Sequence, residues 1–131
     1  MIPVKILLFS ADNSLAQAVT GCLKEAGFKV ISITQGIGAL DIIQEEKPAL
    51  VILDHDLPGF SSLAIIRTLR AEGGNNGRLP VVLTGSSMHE EEVLIGLEIG
   101  ADLCLSESFH PQVFVARVRS LLRRGDSAKV Y

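Results

Sequence analysis

Asp54 is the residue in this chain best placed to do chemistry. It ends Leu50-Val51-Ile52-Leu53-Asp54, a strongly apolar run that predicts a strand buried on both faces. His55-Asp56-Leu57-Pro58-Gly59 follows. Pro58-Gly59 turns the chain toward Ser61 and Ser62, which are suited to cap the next helix. A carboxylate at the C-terminal end of a central parallel strand stands where open α/β sheets place their ligand sites. The competing reading is a solvated aspartate that merely ends the strand. Taken alone, the run gives the two readings equal weight.

The other reactive side chains carry weaker signals. His55 follows Asp54 directly, but neighbours at a strand end point in opposite directions, so a surface or loop histidine is expected. His89 and His110 fall at predicted helix starts, exposed and without metal-ligand spacing. Cys22 and Cys104 lie in predicted regular elements, also without such spacing, and read as reduced thiols of the core.

The elements that must position Asp54 follow from hydrophobic periodicity. Val4–Phe9 predicts a first strand, and Ser10-Ala11-Asp12-Asn13-Ser14 a polar loop with several capping residues. Leu15–Ala26 carries a helical stripe of Leu15, Ala18, Val19, Cys22 and Leu23 that Gly27 stops. Phe28–Thr34 alternates as a strand near a sheet edge, and Ile37–Glu46 reads as a second helix. After the Asp54 strand, Leu63–Glu72 is a third helix with Leu63, Ile66, Leu69 and Arg70 on one stripe. Gly73-Gly74-Asn75-Asn76-Gly77 is expected to be a flexible loop. Pro80–Thr84 is a fourth strand, ended by Gly85-Ser86-Ser87. A fourth predicted helix starts at Glu90 and buries Val93, Leu94, Leu97 and Ile99. Asp102–Leu105 is a short fifth strand, and Pro111 opens a fifth predicted helix with Val113, Phe114, Val118, Leu121 and Leu122 inward.

Strands and helices in alternation imply a parallel sheet covered on both faces, with right-handed crossovers. The expected fold is α/β, a doubly wound (βα)5 flavodoxin-like domain with strand order 2-1-3-4-5 over residues 1–124, and 125–131 as a tail or linker. The bulk numbers agree. The chain has 131 residues, 47% hydrophobic and 21% charged, enough for one aliphatic core with only 5% aromatics. A net charge of -3 argues against a surface that binds nucleic acid directly. No apolar run is long enough to span a bilayer and no secretory leader is visible, so a cytoplasmic protein without membrane contact is expected.

Over nearly its whole length the chain resembles the receiver domain of bacterial two-component response regulators. The stretches that carry the resemblance are 5–9, Pro48 through Gly59, Leu79 through Gly85, and Gly100-Ala101-Asp102-Leu103-Cys104-Leu105. The resemblance implies that Asp54 accepts a phosphoryl group and that Thr84 binds its oxygens. It also implies a Mg²⁺ ion held by Asp54, the backbone carbonyl of Asp56 and an acidic pair after the first strand. Here that pair falls on Ser10 and Ala11, leaving Asp12 one position later. The phosphoryl-binding lysine falls on Glu107, the proline after it on Ser108, and the aromatic switch position on Cys104. Mg²⁺ prefers hard carboxylate oxygens. A glutamate near Asp54 would repel an incoming phosphoryl group, since two like charges about 4 Å apart interact by about 4 kcal/mol at an effective dielectric of 20.

The expectation is therefore a degenerate receiver, a pseudo-receiver acting by protein–protein contact with no enzyme activity; no cofactor is expected, with Mg²⁺ on Asp54, Asp56 and Asp12 the one left open. The alternative is a working aspartyl-phosphate receiver phosphorylated on Asp54 by a histidine kinase. A flavin or nucleotide enzyme is disfavoured, because Ser10–Ser14 contains no glycine and no phosphate-binding fingerprint occurs. Expected partners are a histidine kinase, an output domain or another regulator. A homodimer through the fourth predicted helix, fifth strand and fifth predicted helix is a further expectation. Glu91, Glu98, Asp102, Arg117, Arg119 and Arg124 are the interface candidates on that face.

Overall fold

The computed structural model describes residues 3–59, 61–85, 88–105 and 110–130. Five parallel strands form one sheet in the order β2-β1-β3-β4-β5: β1 (Lys5–Phe9), β2 (Lys29–Ile33), β3 (Leu50–Asp54), β4 (Val81–Thr84) and β5 (Leu103–Leu105). The helices are α1 (Asn13–Glu25), α2 (Ala39–Glu46), α3 (Ser62–Glu72), α4 (Gly74–Arg78), α5 (Glu90–Ile99) and α6 (Pro111–Val130). The strand order matches the expected doubly wound sheet, and β3 lies at its centre.

Each strand's side chains divide between two cores with a period of two. On one face Leu7, Phe9, Val51, Leu53, Val81 and Leu83 pack with Ile43 of α2 and Ile65, Ile66 and Leu69 of α3. On the other, Ile6, Leu8, Leu50, Ile52 and Val82 pack with Val19 and Leu23 of α1 and Phe114, Val118 and Leu121 of α6. Leu50 through Leu53 are fully buried, as a central strand covered on both faces requires.

Four sequence expectations need correction. The Gly73–Gly77 segment is not a structureless loop: Gly74–Arg78 is the one-turn helix α4. The Arg70 guanidinium gathers this turn, donating from Nη1 to the carbonyls of Asn76, Gly77 and Leu79 at 3.3, 3.2 and 2.7 Å. In α5, Leu94 and Leu97 are 57% and 45% exposed instead of buried. The buried residue of that helix is Gly96, whose absent side chain lets α5 approach Leu83 and Cys104; a Cβ there would lie 2.7 Å from Leu83 Cδ2. The continuous apolar run over residues 93–97 offers no stripe by which to choose its inner face, so backbone proximity chose it. Val113 is likewise exposed, and α6 turns Phe114, Val115 and Val118 inward. Finally, the backbone of α6 stays helical through Val130, where a tail was expected from 125. No helix among the described residues is long and apolar enough to cross a membrane.

Candidate functional site

The C-terminal ends of β1, β3 and β4 bring Ser10, Asp54 and Thr84 together at one rim of the sheet. Register does most of this work: Asp54 is the direct neighbour of Thr84, and Phe9, which precedes Ser10, is the neighbour of Leu53. All three residues are buried, Asp54 to 4% exposure and Thr84 to 3%. A carboxylate so enclosed needs donors. The Ser10 hydroxyl donates to Asp54 Oδ2 at 2.9 Å, and the Asp56 N–H donates to Asp54 Oδ1 at 2.9 Å.

The turn after β3 is held as firmly. The carbonyl of Asp54 accepts from the Leu57 N–H at 3.2 Å and from the hydroxyl of Ser62, which is itself 2% exposed. Ser62 was read from the sequence only as a capping residue. The cap of α3 is instead Ser61, whose oxygen accepts from the Ala64 N–H, and Ser62 faces inward to fix the last carbonyl of β3. Two adjacent hydroxyls after a Pro-Gly turn were the signal, and only the helix phase separates their roles. Gly59 adopts φ +82°, and a Cβ there would lie 3.3 Å from Ile37 Cγ1, so the turn favours glycine on both counts.

The remaining candidates disperse. Asp12 caps α1, its Oδ1 accepting from the Leu15 N–H at 3.1 Å, while its own N–H donates to Ser10 Oγ at 3.1 Å. The Asp56 side chain is mostly exposed and lies 3.4 Å from His55 Nδ1. His55 is not a free surface histidine: its Nε2 lies 2.9 Å from Glu92 Oε2. His89 and His110 are exposed, as expected. Cys104 is half-buried on β5 with Sγ 3.8 Å from the Val93 carbonyl, and burial pushes its thiol up to about 11. Cys22 is also half-buried rather than fully in the core; desolvation raises its pKa too. Glu107 and Ser108 lie outside the described residues, as do Ser86 and Ser87.

Of the interface candidates, Glu91, Glu98, Arg117, Arg119 and Arg124 are exposed. Asp102 is exposed too, but one of its carboxylate oxygens is already engaged within the chain. Its Oδ2 accepts from Arg70 Nη2 at 3.0 Å and from the Val81 N–H at 2.8 Å, pinning the start of β4. A groove of about 410 Å³ lined by Lys47, Asn75, Arg78 and Leu122 opens at the opposite rim of the sheet, by Ala49 and Pro80, remote from Asp54.

The residues present do not fit the Mg²⁺ set that the resemblance implies. Hard divalent cations take several anionic oxygens. Ser10 supplies a hydroxyl already committed to Asp54, Ala11 supplies nothing, and the Asp12 carboxylate is used as a helix cap. Among the described residues, no group of three or more His, Cys, Asp or Glu side chains could hold a metal ion. What the arrangement offers is one buried, oriented carboxylate with a hydroxyl and an amide hydrogen on its two oxygens.

Residues 6–119 match the response regulator receiver domain family. The DNA-binding response regulator MtrA of Mycolicibacterium paratuberculosis is 39% identical over 122 residues, covering 93% of this chain and 52% of MtrA. The transcriptional regulatory protein GltR of Pseudomonas aeruginosa is 33% identical, covering 95% of this chain and 51% of GltR. The chain thus spans about half the length of the curated relatives it matches. Among solved structures, the BeF3-activated N-terminal receiver domain of Klebsiella pneumoniae RstA is 30% identical with a TM-score of 0.82, covering 91% of this chain and 98% of that one. A response regulator from Chloroflexus aurantiacus is 27% identical with a TM-score of 0.85, covering 93% and 99%. With the family's sequence match spanning most of the chain and a five-stranded parallel sheet in the order β2-β1-β3-β4-β5, the chain belongs to the response regulator receiver domain family.

Proposed function

We propose that this chain is the receiver part of a two-component regulator and that Asp54 takes a phosphoryl group from a histidine kinase. The observation that carries the reading is the buried Asp54 carboxylate, held by Ser10 and the Asp56 amide beside Thr84 at the C-terminal end of the central strand. One carboxylate oxygen attacks phosphorus as the donor's bond to phosphorus breaks, and the electron pair leaves with the donor. The family match over residues 6–119 supports this reading. The domain works as acceptor and relay in the cytoplasm.

The test is incubation with acetyl phosphate, with and without Mg²⁺, followed by intact mass measurement. A mass gain of one phosphoryl group, absent from Asp54→Asn, is the expected result. A second reading rests on the same Ser10 and Ala11 replacements: a receiver that signals by contact alone, without phosphorylation. No mass gain under either condition would select it.

The relatives are described as DNA-binding and transcriptional regulators. We infer that this domain passes its state by contact to an output domain or another regulator and does not itself touch DNA. The exposed α5–β5–α6 face, with Glu91, Glu98, Arg117, Arg119 and Arg124 around Leu94, Ile95 and Leu97, is the candidate surface for that contact or for a homodimer.

A further inference from the structure

His55 makes the link between the acceptor turn and α5. Its N–H donates to the Thr84 carbonyl at 2.6 Å, which anchors its backbone to β4. Its ring leads away from Asp54, placing Nδ1 3.4 Å from Asp56 Oδ1 and Nε2 2.9 Å from Glu92 Oε2. Glu92 stands in the first turn of α5. Its other oxygen, Oε1, accepts from the His89 N–H at 3.3 Å and closes that helix's N-terminus. Gly85 leaves the room this needs: a Cβ there would lie 3.2 Å from His55 Cβ and 3.2 Å from Met88 Cγ.

We infer that His55 is a positioning residue that couples the state of Asp54 to the placement of α5. The connection is continuous. Asp54 Oδ1 accepts from the Asp56 N–H, Asp56 and Glu92 flank the His55 ring, and Glu92 caps the helix that carries the exposed Leu94, Ile95 and Leu97. Any change at Asp54 that redirects the Asp56 amide shifts the 54–56 turn, and the ring transmits that shift to the first turn of α5. A histidine suits the task because its planar ring has two side-chain torsions and presents two nitrogens at fixed separation. The rest of α5's packing leaves it free to respond, since only Gly96 is fully buried, Val93 and Ile99 pack partly buried against the core, and Leu94, Ile95 and Leu97 face solvent.

The inference takes Asp54 as the residue whose state changes, as proposed above, but its test requires no phosphoryl chemistry. Asp54→Asn supplies the change, and amide NMR reads it in three backgrounds: unaltered, His55→Asn and His55→Gln. The glutamine amide reaches as far as the imidazole Nε2, whereas asparagine is one bond too short. In the unaltered background Asp54→Asn is expected to move the amide resonances of residues 93–97 together with those of Ser10 and Asp56. With His55→Asn the changes at 93–97 should fall by about fivefold while those at Ser10 and Asp56 persist, and His55→Gln should retain them. A merely structural histidine would alter stability without separating these two groups of signals. Undiminished shifts at 93–97 in the His55→Asn background, or none in the unaltered one, would overturn the inference. Failure of Asp54 to take a phosphoryl group would leave both measurements unchanged.

Discussion

The Ser10 hydroxyl donates a 2.9 Å hydrogen bond to Oδ2 of Asp54, and both residues are almost wholly buried. That bond occupies the place where the receiver resemblance puts acidic residues, and it predicts how the site responds to substitution. Ser10→Ala removes a donor from a buried carboxylate and should cost about 1–3 kcal/mol of stability. Ser10→Asp should destabilise further at neutral pH, because two carboxylates then share one enclosed site. Millimolar Mg²⁺ should restore that variant's urea midpoint and leave the parent protein's unchanged. A parent protein stabilised equally by Mg²⁺ would show that the cation set is complete without Ser10.

Arg70 reaches two segments at once. Its Nε and Nη2 donate to the Gly100 carbonyl at 2.9 and 2.8 Å, and Nη2 also pairs with Asp102. Arg70→Met keeps the apolar stem and should lose about 2 kcal/mol, with faster amide exchange through α4. Arg70→Lys should recover little, since one ammonium cannot serve carbonyls on both sides. A lysine variant of full stability would mean that charge alone matters there.

Gly96→Ala tests the close approach of α5 to the sheet. Alanine raises helix propensity by up to about 1 kcal/mol. Its Cβ would meet Leu83 Cδ2 at 2.7 Å and Cys104 Sγ at 3.4 Å. Overpacking of this kind costs about 1–3 kcal/mol, so net destabilisation on thermal unfolding is expected.

Cys104 should weaken the fold in alkali. Burial raises its thiol from 9.0 to about 11. Below the lower value both states keep the proton, and the buried neutral thiol contributes fully. As pH rises from 9.0 toward about 11, the unfolded chain ionises first, so stability falls across that window and the loss is complete above it. Cys104→Ala should flatten this alkaline limb in urea midpoints taken across the window. An identical limb in the variant would assign it to other groups.

The charged rim of the α5–β5–α6 face predicts a salt-sensitive self-association. Joint reversal, Arg117→Glu with Arg119→Glu, should shift sedimentation toward monomer, and salt should do the same in the parent protein. An unchanged distribution would remove this face from consideration.

Much of the architecture was legible in the amino-acid order. Leu50–Asp54 announces a central strand because every side chain in it is apolar until the last, and a strand buried on both faces tolerates nothing else. The strand alternation and the turn at Pro58-Gly59 set the rim where Asp54 sits, and the receiver resemblance named Asp54 and Thr84. Three matters were decided only by the tertiary structure. The inner face of α5 depended on which residue let two backbones approach, and that residue is a glycine with no hydrophobic signal of its own. The helix at Gly74–Arg78 depended on carbonyls captured by Arg70, which is four residues away from Gly74 and invisible to local propensity. The partners of Ser10, His55 and Asp102 lie 44, 37 and 32 residues from them along the chain, at Asp54, Glu92 and Arg70. Periodicity reports which way a side chain faces along its own element; which group it meets is determined by strand order and register, and those exist only once the sheet has assembled.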